Sequence, residues 1–306
     1  MNDHLFTAPA HWGWLIVLYF FLGGISAGTY LLAALLDLFG SAEHRPTARL
    51  GYLASFTALA LCPPLLILDL DQPLRFWHLM VMSQRPGLMI KWYSPMSLGS
   101  WALLGFGACS FAAFLAAISA SDTGPRFGRL GAAFRALREG WMGKLLALSG
   151  AGFAFFVAGY TGILLAVTNR PIWADTPLLG ALFLLSSATA SAALLSLLSA
   201  RRAGSSPASA RWLHAVEQRA ALLELAVLAA LLIWQGRTAR VWLGPWGLAL
   251  AAAVVVGMLA PLLLPKPAGG AGAPEASPRL GPLLVVASSL LLRAAVVFAS
   301  EAVPHA

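Results

Sequence analysis

Asp69-Leu-Asp-Gln-Pro-Leu-Arg-Phe-Trp-His78 is a short polar run in a chain that is otherwise nearly all hydrocarbon. An apolar run ends just before it, near Leu68, and the next begins near Pro95. Two carboxylates (Asp69 and Asp71), Pro73, Arg75, the aromatic pair Phe76 and Trp77, and His78 therefore stand where a membrane helix meets water. Exposed backbone and bare charge are both costly in lipid. Two readings of the run stand side by side. It is a contact surface for another protein or a lip over a ligand site, or it is an interfacial loop with Trp and Arg anchors.

The rest of the chain explains why that run is exceptional. Of 306 residues, 59% are hydrophobic and only 10% are charged. Soluble domains carry about 25% charged residues. The composition is that of a polytopic membrane protein. The net charge of +8 does not point to nucleic acid, because Lys and Arg collect in the cytoplasmic loops of membrane proteins. The two cysteines, Cys62 and Cys109, lie inside apolar runs and form neither a disulfide framework nor an iron–sulfur ligand set. The N-terminus lacks a basic n-region, and its first apolar run is too long for a signal-peptide core, so it is expected to stay in the mature protein.

About 20 apolar residues span a bilayer. Eight such runs are read: Gly13–Phe39, Ala48–Leu68, Pro95–Ser119, Trp141–Val167, Pro177–Ala200, Val216–Trp234, Trp242–Leu264 and Leu280–Ser300. The expected fold is all-α, a single membrane domain of eight transmembrane helices in two four-helix bundles, about 13–167 and 177–300. Eight spans put both termini on one side. That side holds Arg75, Arg85, Lys91, Arg170, Arg237 and Arg240. Most other cations fall opposite, including the group from Arg126 to Arg138 and the Arg201-Arg202 pair. The richer side is cytoplasmic, so the termini and the Asp69–His78 loop face outward. Ala268–Pro278 and Arg201–Ser209 read as flexible cytoplasmic linkers. Gly24 and Gly28, and the glycines at 150, 152, 159 and 162, read as sites of close helix packing. The prolines of Cys62-Pro63-Pro64 should kink the second helix.

A transmembrane haem needs histidines within the helices. His4, His11, His44, His78, His214 and His305 all fall in termini or loops of this assignment, and no His/Cys cluster has metal-ligand spacing. Neither haem nor a metal is expected. The intramembrane polar residues are few, and each is a functional candidate. Tyr19 lies roughly 9 Å and Tyr160 roughly 10 Å below the outer face. Asp69 and Asp71 sit just above that level, and Arg293 falls in the outer third. Together they line a pocket suited to a quinone, which needs donors for its carbonyls and a route for protons. The competing reading makes the tyrosines belt residues and lets Arg293 pair or snorkel. Glu224, about 12 Å from the cytoplasmic end of its helix, is either a proton relay or a hydrogen-bonded structural group. Asp37 lies near the cytoplasmic end of the first helix, and Glu224, Arg293 and Asp37 are the residues expected on a proton path.

These residues carry a resemblance. Trp12-Gly-Trp14 and Tyr19-Phe-Phe-Leu-Gly-Gly-Ile-Ser-Ala-Gly28 resemble the first helix of the NrfD/PsrC family, the polysulfide-reductase type of membrane anchor subunit. Asp69 to Trp77 resembles its DLGRPxRFW loop, with Asp71-Gln72 in place of Gly-Arg. Ser94–Trp101, Gly159–Leu165, Pro171-Ile-Trp173 and Leu292–Phe298 are similar to its third, fourth and last helices. The resemblance implies a haem-free anchor in a bacterial cytoplasmic membrane that exchanges electrons between menaquinone or ubiquinone and a four-cluster iron–sulfur subunit, usually beside a molybdopterin catalytic subunit. The family's fourth-helix tyrosine at the quinone matches Tyr160. Ile16 and Tyr19 stand where an Asn and a His can occur, so the first-helix contacts depart from the pattern. Arg75, Trp77 and His78 are then the expected docking residues for the iron–sulfur partner. A passive anchor and a transporter or channel are the rival readings. A transporter wants broken helices in corresponding halves, and the sequence shows a single Pro-Pro break.

Overall fold

The structure, a computed structural model, describes residues 12–70, 72–81, 87–119, 133, 136, 140–168, 170, 172–174, 176–201, 206–263 and 280–300. Asp71, residues 202–205 of the Arg201–Ser209 linker and the whole Ala268–Pro278 linker lie outside the described residues, and Pro207 to Ser209 of the first linker are helical. The described chain is helical apart from turns and one isolated antiparallel bridge, Val81 with Leu88. Its helices are α1 (Trp14–Phe39), α2 (Arg45–Leu59), α3 (Cys62–Leu68), α4 (Pro95–Ser119), α5 (Gly140–Ala166), α6 (Leu178–Ala200), α7 (Pro207–Gln235), α8 (Pro245–Ala253), α9 (Ala260–Leu263) and α10 (Leu280–Ala299). A π-helical turn, Val254–Leu259, joins α8 to α9. Short 3-10 turns cover Ala42–His44, Pro73–Leu79 and Gly236–Leu243.

Among the described residues, seven helical stretches are long and apolar enough to cross a membrane: α1, Ala42–Leu68, α4, α5, α6, Pro245–Leu263 and α10. Eight were expected. The sixth expected run lies inside α7, whose 29 residues include Arg211, His214, Glu217, Arg219 and Glu224. That polarity separates α7 from the seven. It also places His214 inside a helix rather than in a loop. α7 starts well before its apolar run because Ser206 caps it, accepting the Ala208 N–H at 3.1 Å, with Pro207 in the first turn. It ends at Gly236, whose φ of +53° suits glycine. The second expected span is split where the prolines stand, α2 ending at Leu59 and α3 beginning at Cys62. Proline lacks the N–H that would continue the ladder, and its ring crowds the preceding turn.

Contacts between helix ends fix two faces. On the face that carries Pro73–Leu79, Trp12 stacks on Trp173 at 5.5 Å. There Trp173 Nε1 donates to the Val296 carbonyl at 2.8 Å, and Gln235 Nε2 donates to the Ile172 carbonyl at 3.2 Å. On the opposite face His44 Nδ1 lies 2.7 Å from Ser209 Oγ, and Ser206 Oγ donates to Glu43 at 3.0 Å. α7 is tied at both faces and runs the full thickness.

α1 is the hub. It packs against α2, α3, α5, α6 and α10. Its Gly28 faces α6 so closely that a Cβ there would collide with Ser191 and the Ser187 carbonyl. In hydrocarbon, helices associate by such close packing and by hydrogen bonds rather than by water exclusion. Gly150 makes room for the Tyr30 ring, and Gly162 abuts the backbone at Leu179.

Candidate functional site

Two polar centres flank α1. The first is a phenol pair. Tyr19 of α1 is 3% exposed and Tyr160 of α5 is 6% exposed. The two rings and Cys62 are close enough to interact electrostatically. Gly99 of α4 lies directly against the Tyr160 ring, where a Cβ would overlap it. Phe156, one turn before Tyr160, stacks on it at 5.5 Å and 19°. No hydrogen bond joins either hydroxyl to another described residue. A buried phenol normally finds a partner, so the pair offers two donors to something else. Asp69 stands at the end of α3, partly exposed, with its N–H bonded to the Leu65 carbonyl at 3.1 Å. That end is about 10 Å along the helix from Cys62 toward the loop face.

The second centre is built on Arg293 of α10, which is fully buried. Nε donates to the Phe20 carbonyl at 3.1 Å. One terminal nitrogen donates to Ser186 Oγ at 3.2 Å and to the carbonyl and hydroxyl of Ser289. The other donates to Ser187 Oγ at 2.9 Å and the Phe183 carbonyl at 3.3 Å. The guanidinium also sits 5.1 Å over the Phe183 ring. A charge in hydrocarbon is expensive, and here hydroxyls and main-chain carbonyls from three helices replace its water shell. Glu224 of α7, 4% exposed, lies within electrostatic reach of the guanidinium and accepts from Thr189 Oγ1 at 3.0 Å. Ser186, Thr189, Glu224, Gly257, Ser288 and Ser289 line a cavity of about 10 Å³, room for one water. The two centres touch through α1, because Gly24 is pressed against Arg293 and Ser187 while Gly23, its neighbour, faces Tyr19 and Cys62.

The structure thus brings Tyr19 to Tyr160, and Arg293 to Glu224. It keeps Asp37 apart from both. Asp37 is exposed near the far end of α1 and accepts from Tyr52 at 3.2 Å. Arg75, Trp77 and His78 share the Pro73–Leu79 turn, where Trp77 stacks on His78 at 3.7 Å and the His78 Nδ1 lies 3.2 Å from the Arg75 carbonyl. The loop is anchored to α4 through Met89, whose carbonyl accepts from Trp101 Nε1 at 3.0 Å and Ser97 Oγ at 3.3 Å. The sequence reading passed over the small hydroxyls. Ser186-Ser187 and Ser288-Ser289 are adjacent pairs inside apolar helices, and that pairing was the available signal.

The fold and these centres define a class: a multi-pass helical membrane protein with a buried phenol pair beside an intramembrane arginine cluster. The chain belongs to the family described as polysulphide reductase, NrfD, which matches residues 5–265. α10 and Arg293 lie beyond that match. The chain is similar to a polysulfide reductase component of Wolinella succinogenes, 27% identical over 315 aligned positions that cover 95% of this chain and 94% of the relative. It is also similar to a selenate reductase component of Mesobacillus selenatarsenatis, 37% identical over 95 residues. That match covers 30% of this chain and 21% of the relative.

Proposed function

We propose that this chain is the quinone-reactive membrane anchor of a bacterial respiratory reductase complex. The observation that carries the reading is the phenol pair, Tyr19 with Tyr160, buried beneath the loop face. Quinone reduction consumes two electrons and two protons, and quinol oxidation returns them. The tyrosines donate to the quinone carbonyls, with Asp69 at the end of α3 toward the loop and Asp71 two residues further along the sequence. An iron–sulfur subunit docked on Arg75, Trp77 and His78, next to a molybdopterin catalytic subunit, exchanges the electrons. The reductase components among the relatives support a shared complex architecture. Arg293 and Glu224 relay protons from the far side, and Asp37 stands outside that route.

In this reading α7 is the eighth span, since it is tied at both faces, and the helices divide four and four around the α1–α6 contact. The cation-rich loops lie in the cytoplasm, so both termini and the docking loop face the periplasm. The chain itself holds no haem, and a reduced-minus-oxidised spectrum of the complex should show no b-type bands from it.

Tyr160→Phe tests the site, because it removes one donor and almost no volume. Losing one neutral hydrogen bond costs about 0.5–1.5 kcal/mol, a few-fold to about tenfold in quinone affinity. Turnover with an artificial acceptor at the catalytic partner bypasses the membrane and should be unchanged. Wild-type quinone affinity and quinone-linked rate in the variant would make Tyr160 a packing residue. A purified complex free of extractable quinone, with no quinone-linked turnover, would make the chain a passive anchor.

A further inference from the structure

Glu217 is the one remaining carboxylate on the buried face of α7. It stands seven residues before Glu224, two turns or about 10 Å along the same face. Its side chain is 11% exposed, and its Oε2 lies 3.5 Å from His214 Nδ1, on a side chain that is 21% exposed. α6 and α7 form an antiparallel hairpin in which Thr189 pairs with Glu224. Toward the turn of that hairpin, α6 carries Ser196 and Ser199 and α7 carries Glu217 and His214.

The hydroxyls at the far end of this line carry a second, independent signal. Leu50 of α2, Leu195 of α6 and Leu213 of α7 pack in one apolar layer. One turn below it, each helix presents a buried hydroxyl: Thr47, Ser199 and Ser209. Ser209 meets His44. Thr47 and Ser199 have no hydrogen-bond partner among the described residues. Buried hydroxyls of that kind are positions where folded proteins hold water. The leucine layer separates this level from Glu217, and His214, beside Leu213, bridges it.

We propose that Glu217 is the cytoplasmic entry station of a proton route that continues up α7 to Glu224. The inference rests on the relay reading of Glu224 given above. A proton from cytoplasmic water passes through His214 to the Glu217 carboxylate. It leaves for the Glu224 carboxylate through the one-water cavity that Glu224 lines, and Glu217 is regenerated. Two such transfers match the two electrons that reduce one quinone, and quinol oxidation runs the route in reverse.

The test uses the whole complex in vesicles, with a pH indicator confined to the compartment facing the Glu217 end of α7. Glu217→Gln should slow both quinone-linked turnover and proton exchange with that compartment by roughly tenfold or more. Artificial-acceptor activity should stay at the wild-type rate, and Glu217→Asp should recover most of the loss. Wild-type rates in Glu217→Gln beside slow rates in Glu224→Gln would overturn the entry station and leave the relay standing. Wild-type rates in both would overturn the relay with it. A loss that Glu217→Asp does not recover would mark a packing role and overturn the proposal. Should Glu217→Gln fail to assemble, His214→Ala decides. Slowed proton exchange that added imidazole restores supports the route, and unchanged exchange overturns it.

Discussion

Arg293 shows what one residue can demand of a fold. Its guanidinium has five N–H donors, and every donor nitrogen has a partner. Six groups on α1, α6 and α10 are committed to it, with Glu224 of α7 within electrostatic reach. Removing one member of a buried charge pair strands the rest, typically at about 3–5 kcal/mol. Arg293→Met is therefore expected to lower thermal stability in detergent by roughly that amount. Arg293→Lys keeps the charge but offers three donors in place of a planar fork, and should fall between. A Met variant as stable as wild type would mean that the serines rehydrate freely.

At the scale of elements, α1 holds the molecule together because its small residues let three neighbours approach. The contrast between Gly28 and Gly152 makes this measurable. A Cβ at Gly28 meets Ser191 and the Ser187 backbone, whereas one at Gly152 meets nothing within 4 Å. Overpacking typically costs about 1–3 kcal/mol, while Gly→Ala in a helix without a clash gains about 0.5–1 kcal/mol. Gly28→Ala is expected to lower the unfolding temperature of the purified protein, and Gly152→Ala to hold or raise it. Equal shifts would show that α1 and α6 separate at little cost. The π turn Val254–Leu259 is the other element with consequences. It sets Gly257 against Ser288 and puts Gly257 and Met258 on the wall of the Glu224 cavity. Such turns recur at functional sites.

At the scale of the whole molecule, the loop face presents an exposed apolar and aromatic surface. Leu74, Trp92 and Tyr93 are 90%, 78% and 69% exposed, beside Arg75 and Trp77 on the loop face. Aromatic and arginine side chains together make strong protein contacts. Arg75→Glu is expected to weaken recovery of the intact complex in pull-down, while Arg135→Glu, in the loop that the charge distribution assigns to the cytoplasm, leaves it intact. Equal loss from both would contradict the orientation. A C-terminal reporter fusion should report the periplasmic side, and activity confined to the cytoplasm would reverse the topology.

Much of this was legible without coordinates. The apolar runs set the helices, because backbone groups in lipid must bond within their own segment and leave few alternatives. The Pro-Pro break and the shared depth of Tyr19 and Tyr160 follow from spacing alone. α7 was the exception. Its charges made it look like the weakest span, yet its buried face is where Glu217 and Glu224 lie. Composition averages around a helix, and only packing says which face its carboxylates occupy. Asp37 and Glu224 were alike as lone acids in apolar helices, and the fold separated them, one exposed beside Tyr52 and the other sealed among serines. The serine pairs at 186 and 288 carry little signal by themselves, since a hydroxyl in a helix can bond its own backbone. What made Ser186 and Ser187 a solvation shell was the arrival of Arg293 from a helix more than a hundred residues away in the chain, with Ser289 one turn before it on α10. Local pattern fixes helices, because their hydrogen bonds are local. The polar centres depend on which helices meet, and that is decided by close contacts such as Gly28 on Ser191, which no stretch of sequence contains by itself.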